Sequence, residues 1–361
     1  MTEQVRTERQ TGADGEMTGR QRFLAAVNRQ PVDRTPVWFM RQAGRCLPEY
    51  RALRQRHDFM TVAHTPELAV EATLMPVDRL RVDGAVLFAD IMLPLEGMGV
   101  EFEIRPGVGP VIANPIRTAE DIERITVVNP EEGTPYVLQA LRLLRHELGE
   151  RAAVLGFAGA PFTLACYMID GRSTREYPTT KALMLGRPDL WHTLMTKLTD
   201  VTIRYLKGQV AAGADVVQLF DSWLGLLSPA QFSEYVKPYT SRIFSELKGV
   251  VPTVHFSTGT VQLLPQIGET EPDVVSLDWR LPIGEAWKRL DHRTGVQGNL
   301  DPTTLLAPWE AVASGVDAIL TEVGGRPGHV FNLGHGVLPQ TDPDQLARIV
   351  ERVHAHVPAG K

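Results

Sequence analysis

Short apolar, β-branched runs ending at a polar residue or a glycine recur from Thr35 to His335. They fall at 35–41 (TPVWFMR), 84–90 (GAVLFAD), 152–158 (AAVLGFA) and 214–222 (ADVVQLFDS), then at 251–257 (VPTVHFS), 274–279 (VVSLDW), 295–300 (GVQGNL) and 329–335 (HVFNLGH). Most lack polar alternation, as strands buried on both faces do. Helical patterns lie between them at 66–80, 135–148, 188–212, 229–248, 260–266, 283–290, 302–313 and 344–356. Pro66 suits a first helical turn and Ser228 an N-cap. Strand–helix alternation predicts a parallel sheet, and eight repeats predict closure into a (β/α)8 TIM barrel of the α/β class. The alternative is an open doubly wound sheet, but no GxGxxG follows the first run.

Residues 1–19 are polar and predict a mobile tail, leaving 20–357 as a single barrel domain. A length of 361 residues would fill about two average domains, yet barrels use as much as one. The polar N-terminus has no apolar signal core, and no apolar run reaches membrane-spanning length. Two cysteines, Cys46 and Cys166, provide no disulfide framework and fit a reducing cytoplasm. The net charge of −6 argues against a general nucleic-acid binder. Against that balance, arginines 34, 41, 45, 51, 54 and 56 crowd one segment with Glu49 as its only acid. Such forks match carboxylate geometry and point to a polyanionic ligand. Arg51, Arg54 and Arg56 follow Pro48 at helical spacing and also read as a solvated helix face.

Barrel active sites form at the C-terminal ends of the strands. The polar residues there are Arg41, Asp90, Ser222, Ser257, Asp278, Asn299, Asp301 and His335. Each alone reads equally as a loop cap; together they point to a site. Ser222 lacks a GxSxG elbow and is not read as a nucleophile.

The segment PVWFMRQAGRCLPEYR (36–51) resembles the first signature of the uroporphyrinogen decarboxylase family, and GFAGAPFTLACYMIDG (156–171) resembles its second. FADIMLPLEGMG (88–99), QLFDSW (218–223), VQGNLDP (296–302) and NLGHGVLP (332–339) resemble further blocks in the family order. The resemblance implies a homodimeric barrel without cofactor; no metal is needed, because the substrate supplies its own electron sink, and the charge balance and hydropathy above leave neither nucleic acid nor membrane as an expected partner. It implies removal of CO₂ from the four acetates of uroporphyrinogen III, giving coproporphyrinogen III. It assigns catalysis to Asp90, Arg41, His335 and Tyr167, and substrate contacts to these and to Gln42, Ala43, Gly44, Arg45, Arg54, Phe220 and Ser222.

In that chemistry a protonated pyrrole acts as the electron sink, so the site must stabilise a cation. Asp90, ending an apolar run, is the candidate; its alternative reading is an N-cap, although Pro94 follows and no helix pattern starts at Ile91. Neighbouring arginines are expected to counter its desolvation and keep it ionised. Tyr167 reads as a carboxylate ligand or a core tyrosine. His335, between two glycines, reads as a ligand when charged or as a proton relay. Arg41 is also a candidate proton donor, although a guanidinium is a weak acid. His255 and His329 read as interior groups. Cys46 replaces a family tyrosine, removing a phenol expected at the pocket mouth, and Cys166 replaces a small hydroxyl residue. Related zinc methyltransferases carry H-x-C where this chain has His255-Phe256-Ser257, which lacks the thiolate. A tetrapyrrole carrier is the non-enzymatic alternative.

Overall fold

The computed structural model describes residues 16–105 and 107–356. Residues 1–15 of the expected tail lie outside the described residues. Thr18 is already structured, capping a helix over Gly19–Val27 through a reciprocal bond with Gln21.

The strands are β1 (Gly84–Val86), β2 (Phe102–Arg105), β3 (Gly109–Ile112), β4 (Ala153–Gly159), β5 (Val216–Asp221), β6 (Thr253–Ser257), β7 (Val274–Ser276), β8 (Gly295–Leu300) and β9 (His329–Leu333). Seven form one parallel sheet in the order β1-β4-β5-β6-β7-β8-β9, while β2 and β3 form a separate hairpin. Chain order equals spatial order, as right-handed strand–helix repeats dictate.

The first expected strand, 35–41, is reduced to a single parallel bridge between Val37 and Phe331. Pro36 has no N–H to give. The N–H groups of Val37, Phe39 and Met40 go instead to side-chain oxygens of Asp83 (2.9 Å), Gln42 (2.9 Å) and Asn332 (3.1 Å). Phe331 N–H donates to Pro36 O at 2.9 Å and Asp83 N–H to Val37 O at 2.8 Å, so the segment joins β9 to the start of β1 and closes the ring. The barrel expectation holds, with one stave held by a mixture of backbone and side-chain bonds.

Alternation along the strands sorts two cores. Ala153, Leu155, Val216, Val254, Phe256, Val274 and Val330 face the barrel interior with Trp38, and Phe23 of the first helix packs against them. The outward side chains pack under the surrounding helices. Inside, Gln297 accepts from Trp38 Nε1 (2.8 Å) and donates to Gln218 (3.0 Å) and Ser276 (2.9 Å). This polar layer satisfies the Gln297 amide where water has no access.

Some helix boundaries differ from the pattern. The run 229–248 breaks at Val236 into Pro229–Tyr235 and Lys237–Leu247, because Pro238 cannot continue a helix hydrogen-bond ladder. The run 302–313 becomes a 3₁₀ turn, Pro302–Leu306, and a helix, Trp309–Val323, with Pro308 between them. The β2–β3 hairpin was not expected. It pairs Phe102 with Ile112 and is tied to the C-terminus of helix Pro161–Asp170 by Ile112 N–H on Gly171 O (2.8 Å).

Below the barrel, Arg22 is 1% exposed and donates to Asp83 (2.6 Å) and Asp33 (2.7 Å). Asp83 also accepts from Val37 N–H and lies 2.8 Å from His354 Nε2. Arg22→Met leaves Asp83 buried without its main cation and is expected to lower unfolding free energy by about 3 kcal/mol in urea titrations. An unchanged midpoint would show that the pair contributes nothing net.

Candidate active site

At the C-terminal rim the structure separates the polar strand ends by what they do. Ser257 Oγ pairs with Thr260 Oγ1 at 2.8 Å. Asp301 caps the following 3₁₀ turn through Thr303. Asn299 donates to Asp278 O and Leu281 O, both at 2.8 Å. Asp278 itself holds Gly259 N–H and Arg280. These four brace loops. Arg41, Asp90, Ser222 and His335 keep side-chain groups open at the rim.

Arg41 has φ 61°, the left-handed region that a residue with a Cβ rarely adopts. Its neighbours enforce it. Met40 O accepts Val337 N–H at 2.8 Å, pinning the loop after β9 to this turn. Gln42 is fully buried, accepting from Phe39 N–H and donating to Gly84 O at 2.9 Å. Its side chain therefore fixes the loop to β1. A Cβ on Gly44 would meet Arg41 O at 2.6 Å, so Ala43 and Gly44 form a turn too tight for a larger residue at 44. Arg41 and Arg45 are exposed, and neither guanidinium has a hydrogen bond or ion pair among the described residues.

Asp90 is half-buried after β1. One carboxylate oxygen accepts Met92 N–H at 2.9 Å, just ahead of the short helix Leu93–Gly97. The cap-like reading is thus partly right, and the second oxygen remains for other work. Desolvation pushes the carboxyl above its ordinary value, with the Met92 N–H and the Arg41 charge opposing. The expected arginine compensation is present but does not cancel the burial.

Of the two readings of His335, charged ligand and proton relay, the surroundings bear on the first. Burial first, then the charges of Arg41 and Arg280, push its pKa down to about 4 against the opposing Asp278. It is neutral at pH 7, not a standing cation. Its Nδ1 accepts Gly336 N–H at 2.8 Å, which assigns the ring proton to Nε2 as a donor. Gly334 and Gly336 are not at positive φ. Gly336 serves by close approach, since a Cβ there would meet Arg41 Cγ at 2.8 Å.

Tyr167 sits on helix Pro161–Asp170, 8% exposed, with ring centroids 6.1 Å from both Tyr177 and Trp223. Burial holds its phenol protonated, Trp223 and Tyr177 pulling the other way and the Asp90 charge adding to the burial. Asp90, Tyr167, Arg41 and His335 thus share one electrostatic neighbourhood. Phe220 meets Phe157 and Phe256 edge-on at 5.4 and 5.5 Å, and Phe256 meets His335 at 6.0 Å, giving the mouth an aromatic wall. Ser222 follows Asp221, whose carboxylate holds Thr163 Oγ1 (2.9 Å) beside the Tyr167 helix. Arg54 lies over Tyr50 and Phe59 and donates to Tyr50 and His57 O.

Three smaller readings are settled. Cys46 is 2% exposed in the core, its thiol pushed up to about 11 by burial, so this position does not line the mouth. Cys166 is likewise buried and free. His255 and His329 are interior, as expected, with burial lowering His329 to about 4.

The Uroporphyrinogen decarboxylase (URO-D) family matches residues 18–356. A uroporphyrinogen decarboxylase from Thermobifida fusca is 51% identical over 92% of this chain and 92% of its own. One from Carboxydothermus hydrogenoformans is 48% identical over 92% and 95%. The chain belongs to the uroporphyrinogen decarboxylase family. Family membership makes it a carboxy-lyase. A solved methyltransferase from Methanosarcina mazei shares the fold, with a TM-score of 0.80, 22% identity and coverage of 94% and 98%. In this decarboxylase-family chain, Ser257 is buried and His255 is wholly buried beside Phe244.

Because the Asp90 carboxyl is raised, its charged form is lost as pH falls through a point above the ordinary value of about 4. The acid limb of kcat/KM is therefore expected above that value. His335→Gln should lower kcat/KM while leaving the profile between about pH 6 and 8 unchanged in shape, since His335 is already neutral there. A titration near 6.5 that disappears in this variant would contradict the assignment.

Proposed function

We infer that this chain decarboxylates the acetate side chains of uroporphyrinogen III, yielding coproporphyrinogen III, with Asp90 as the central group. The supporting observation is a half-buried carboxylate with a free oxygen beside an unpaired guanidinium, at the rim of a barrel of the decarboxylase family.

In the reaction a proton adds to a pyrrole ring carbon and creates a cation. The bond between the acetate methylene and its carboxylate then breaks. CO₂ leaves, and the bonding pair neutralises the ring as an exocyclic double bond. Protonation of that methylene gives the methyl group, and loss of the ring proton restores the pyrrole. The net change is one proton for one CO₂, and the substrate supplies its own electron sink.

Asp90 accepts hydrogen bonds from pyrrole N–H groups and offsets the developing cation. Arg41, Arg45 and Arg54 hold peripheral carboxylates, with Ser222 and the Nε2–H of His335 adding neutral donors. Tyr167 offers its phenolic O–H next to Asp90. Phe220 packs on the macrocycle. Gln42, Ala43 and Gly44 shape the loop that presents Arg41. The unit is a single barrel over 20–357, acting as a cytoplasmic homodimer; the two buried free thiols suit a reducing compartment. Among the described residues no helix is long and apolar enough to cross a membrane.

Anaerobic incubation with uroporphyrinogen III is expected to release CO₂; binding without release would favour a carrier. Asp90→Asn keeps the volume and loses the charge. It should cut kcat by about 10²–10³-fold with little change in Tm. Near-normal turnover would remove Asp90 from the mechanism. Arg41→Lys should raise KM, because a point charge replaces a bidentate fork.

A further inference from the structure

The β7 strand is followed by Leu277-Asp278-Trp279-Arg280, and this corner is built around one guanidinium. Asp278 is 8% exposed and uses both oxygens locally. Oδ1 accepts Arg280 N–H at 3.0 Å, while Oδ2 accepts Arg280 Nη1 at 2.6 Å and Gly259 N–H at 2.5 Å. The Arg280 Cζ lies 4.4 Å from the Trp279 ring centroid. Asn299 clamps the same corner through Asp278 O and Leu281 O. Backbone, carboxylate and indole together fix the guanidinium, although its side chain is 49% exposed. An ordinary surface arginine is not held this way, because ordering a long side chain opposes the small gain of an exposed pair.

The corner adjoins the loop that carries His335. A Cβ on Gly334 would meet Trp279 N at 2.5 Å and the Trp279 ring at 3.1 Å, so the two loops touch with no room for a side chain. The Arg280 charge helps depress the proton affinity of His335, as the Arg41 charge does. Among the described residues Asp278 is the only acid bonded to Arg280, and it engages a single guanidinium nitrogen. Nε and the other terminal nitrogen remain for a ligand, and two N–H groups in one plane match a carboxylate.

We propose that Arg280 is a further substrate-binding residue, gripping a peripheral side-chain carboxylate of the tetrapyrrole from the end of β7, on the far side of the arginine-rich segment in sequence. Trp279 and Asp278 act as its positioning residues. The assignment rests on the decarboxylase reading and extends it to a part of the rim that the arginine cluster does not supply.

Steady-state kinetics with anaerobic uroporphyrinogen III test it. Arg280→Gln is expected to raise KM about tenfold, with kcat within about twofold of the parent and Tm unchanged. Arg280→Lys should recover part of the loss. Arg289→Gln, the same charge change on the outer helix Ile283–Arg289, should leave KM unchanged. A KM loss that persists with partly decarboxylated intermediates assigns the grip to a carboxylate the substrate keeps. A loss confined to uroporphyrinogen assigns it to a reacting acetate; either result supports the proposal. An unchanged KM in Arg280→Gln, a fall in kcat alone, or an equal shift in Arg289→Gln overturns it. Absence of CO₂ release by the parent protein overturns the decarboxylase reading and this assignment together, whereas normal parent turnover with an unaltered variant overturns this assignment alone.

Discussion

The ring closes through one parallel bridge, Val37 to Phe331, and the placement of the site follows from how that closure is made. A regular strand would send every N–H of residues 37–40 into a ladder. Here only Trp38 donates to the neighbouring strand, at Phe331 O, while Val37, Phe39 and Met40 donate to side chains of Asp83, Gln42 and Asn332, so the segment is free to turn sharply after Met40. Arg41 can then take a left-handed backbone and project over the rim. That conformation stores about 1–3 kcal/mol of strain, sustained by the surrounding bonds. Asp83 links this closure to Arg22 and His354 below, so the foot of the barrel and its mouth depend on the same stave.

The electrostatics of the mouth follow from desolvation more than from pairing. Burial raises Asp90 and lowers His335, and in both cases Arg41 contributes as a smaller effect. Lowering the imidazole removes a fixed positive charge from the free site. A polyanion then meets guanidiniums that are not already committed to internal acids, while the neutral imidazole contributes a directed donor. The aromatic wall of Phe220 and Phe256 lowers the local dielectric, which strengthens both effects.

Rigidity around the site comes from side chains that tie one element to another. Gln42 ties the Arg41 loop to β1, Asp221 ties β5 to the Tyr167 helix through Thr163, and Asn299 with Asp278 ties β7 to β8. Each bond is buried or partly buried, so each is costly to leave unmade. Loops held in this way can keep exposed arginines in fixed positions. The rim polar residues thus serve two purposes, and only their partners distinguish a brace from an open group.

The sequence by itself determined the repeating strand–helix order, the polar strand ends, the arginine-rich segment and the family signatures. These are legible because burial on both faces imposes continuous apolar runs and because RQAGR and GHG are local motifs. Tertiary structure alone decided that the first stave is a bridge, since its donors find partners at Asp83 and Asn332, far away in sequence. It decided that Gln42 and Asp278 are braces, that Cys46 is core, and that His335 is neutral, because these depend on neighbours and burial that a linear pattern does not encode. It also brought Arg280 beside the His335 loop, a meeting of β7 and β9 ends produced by the curvature of the closed sheet.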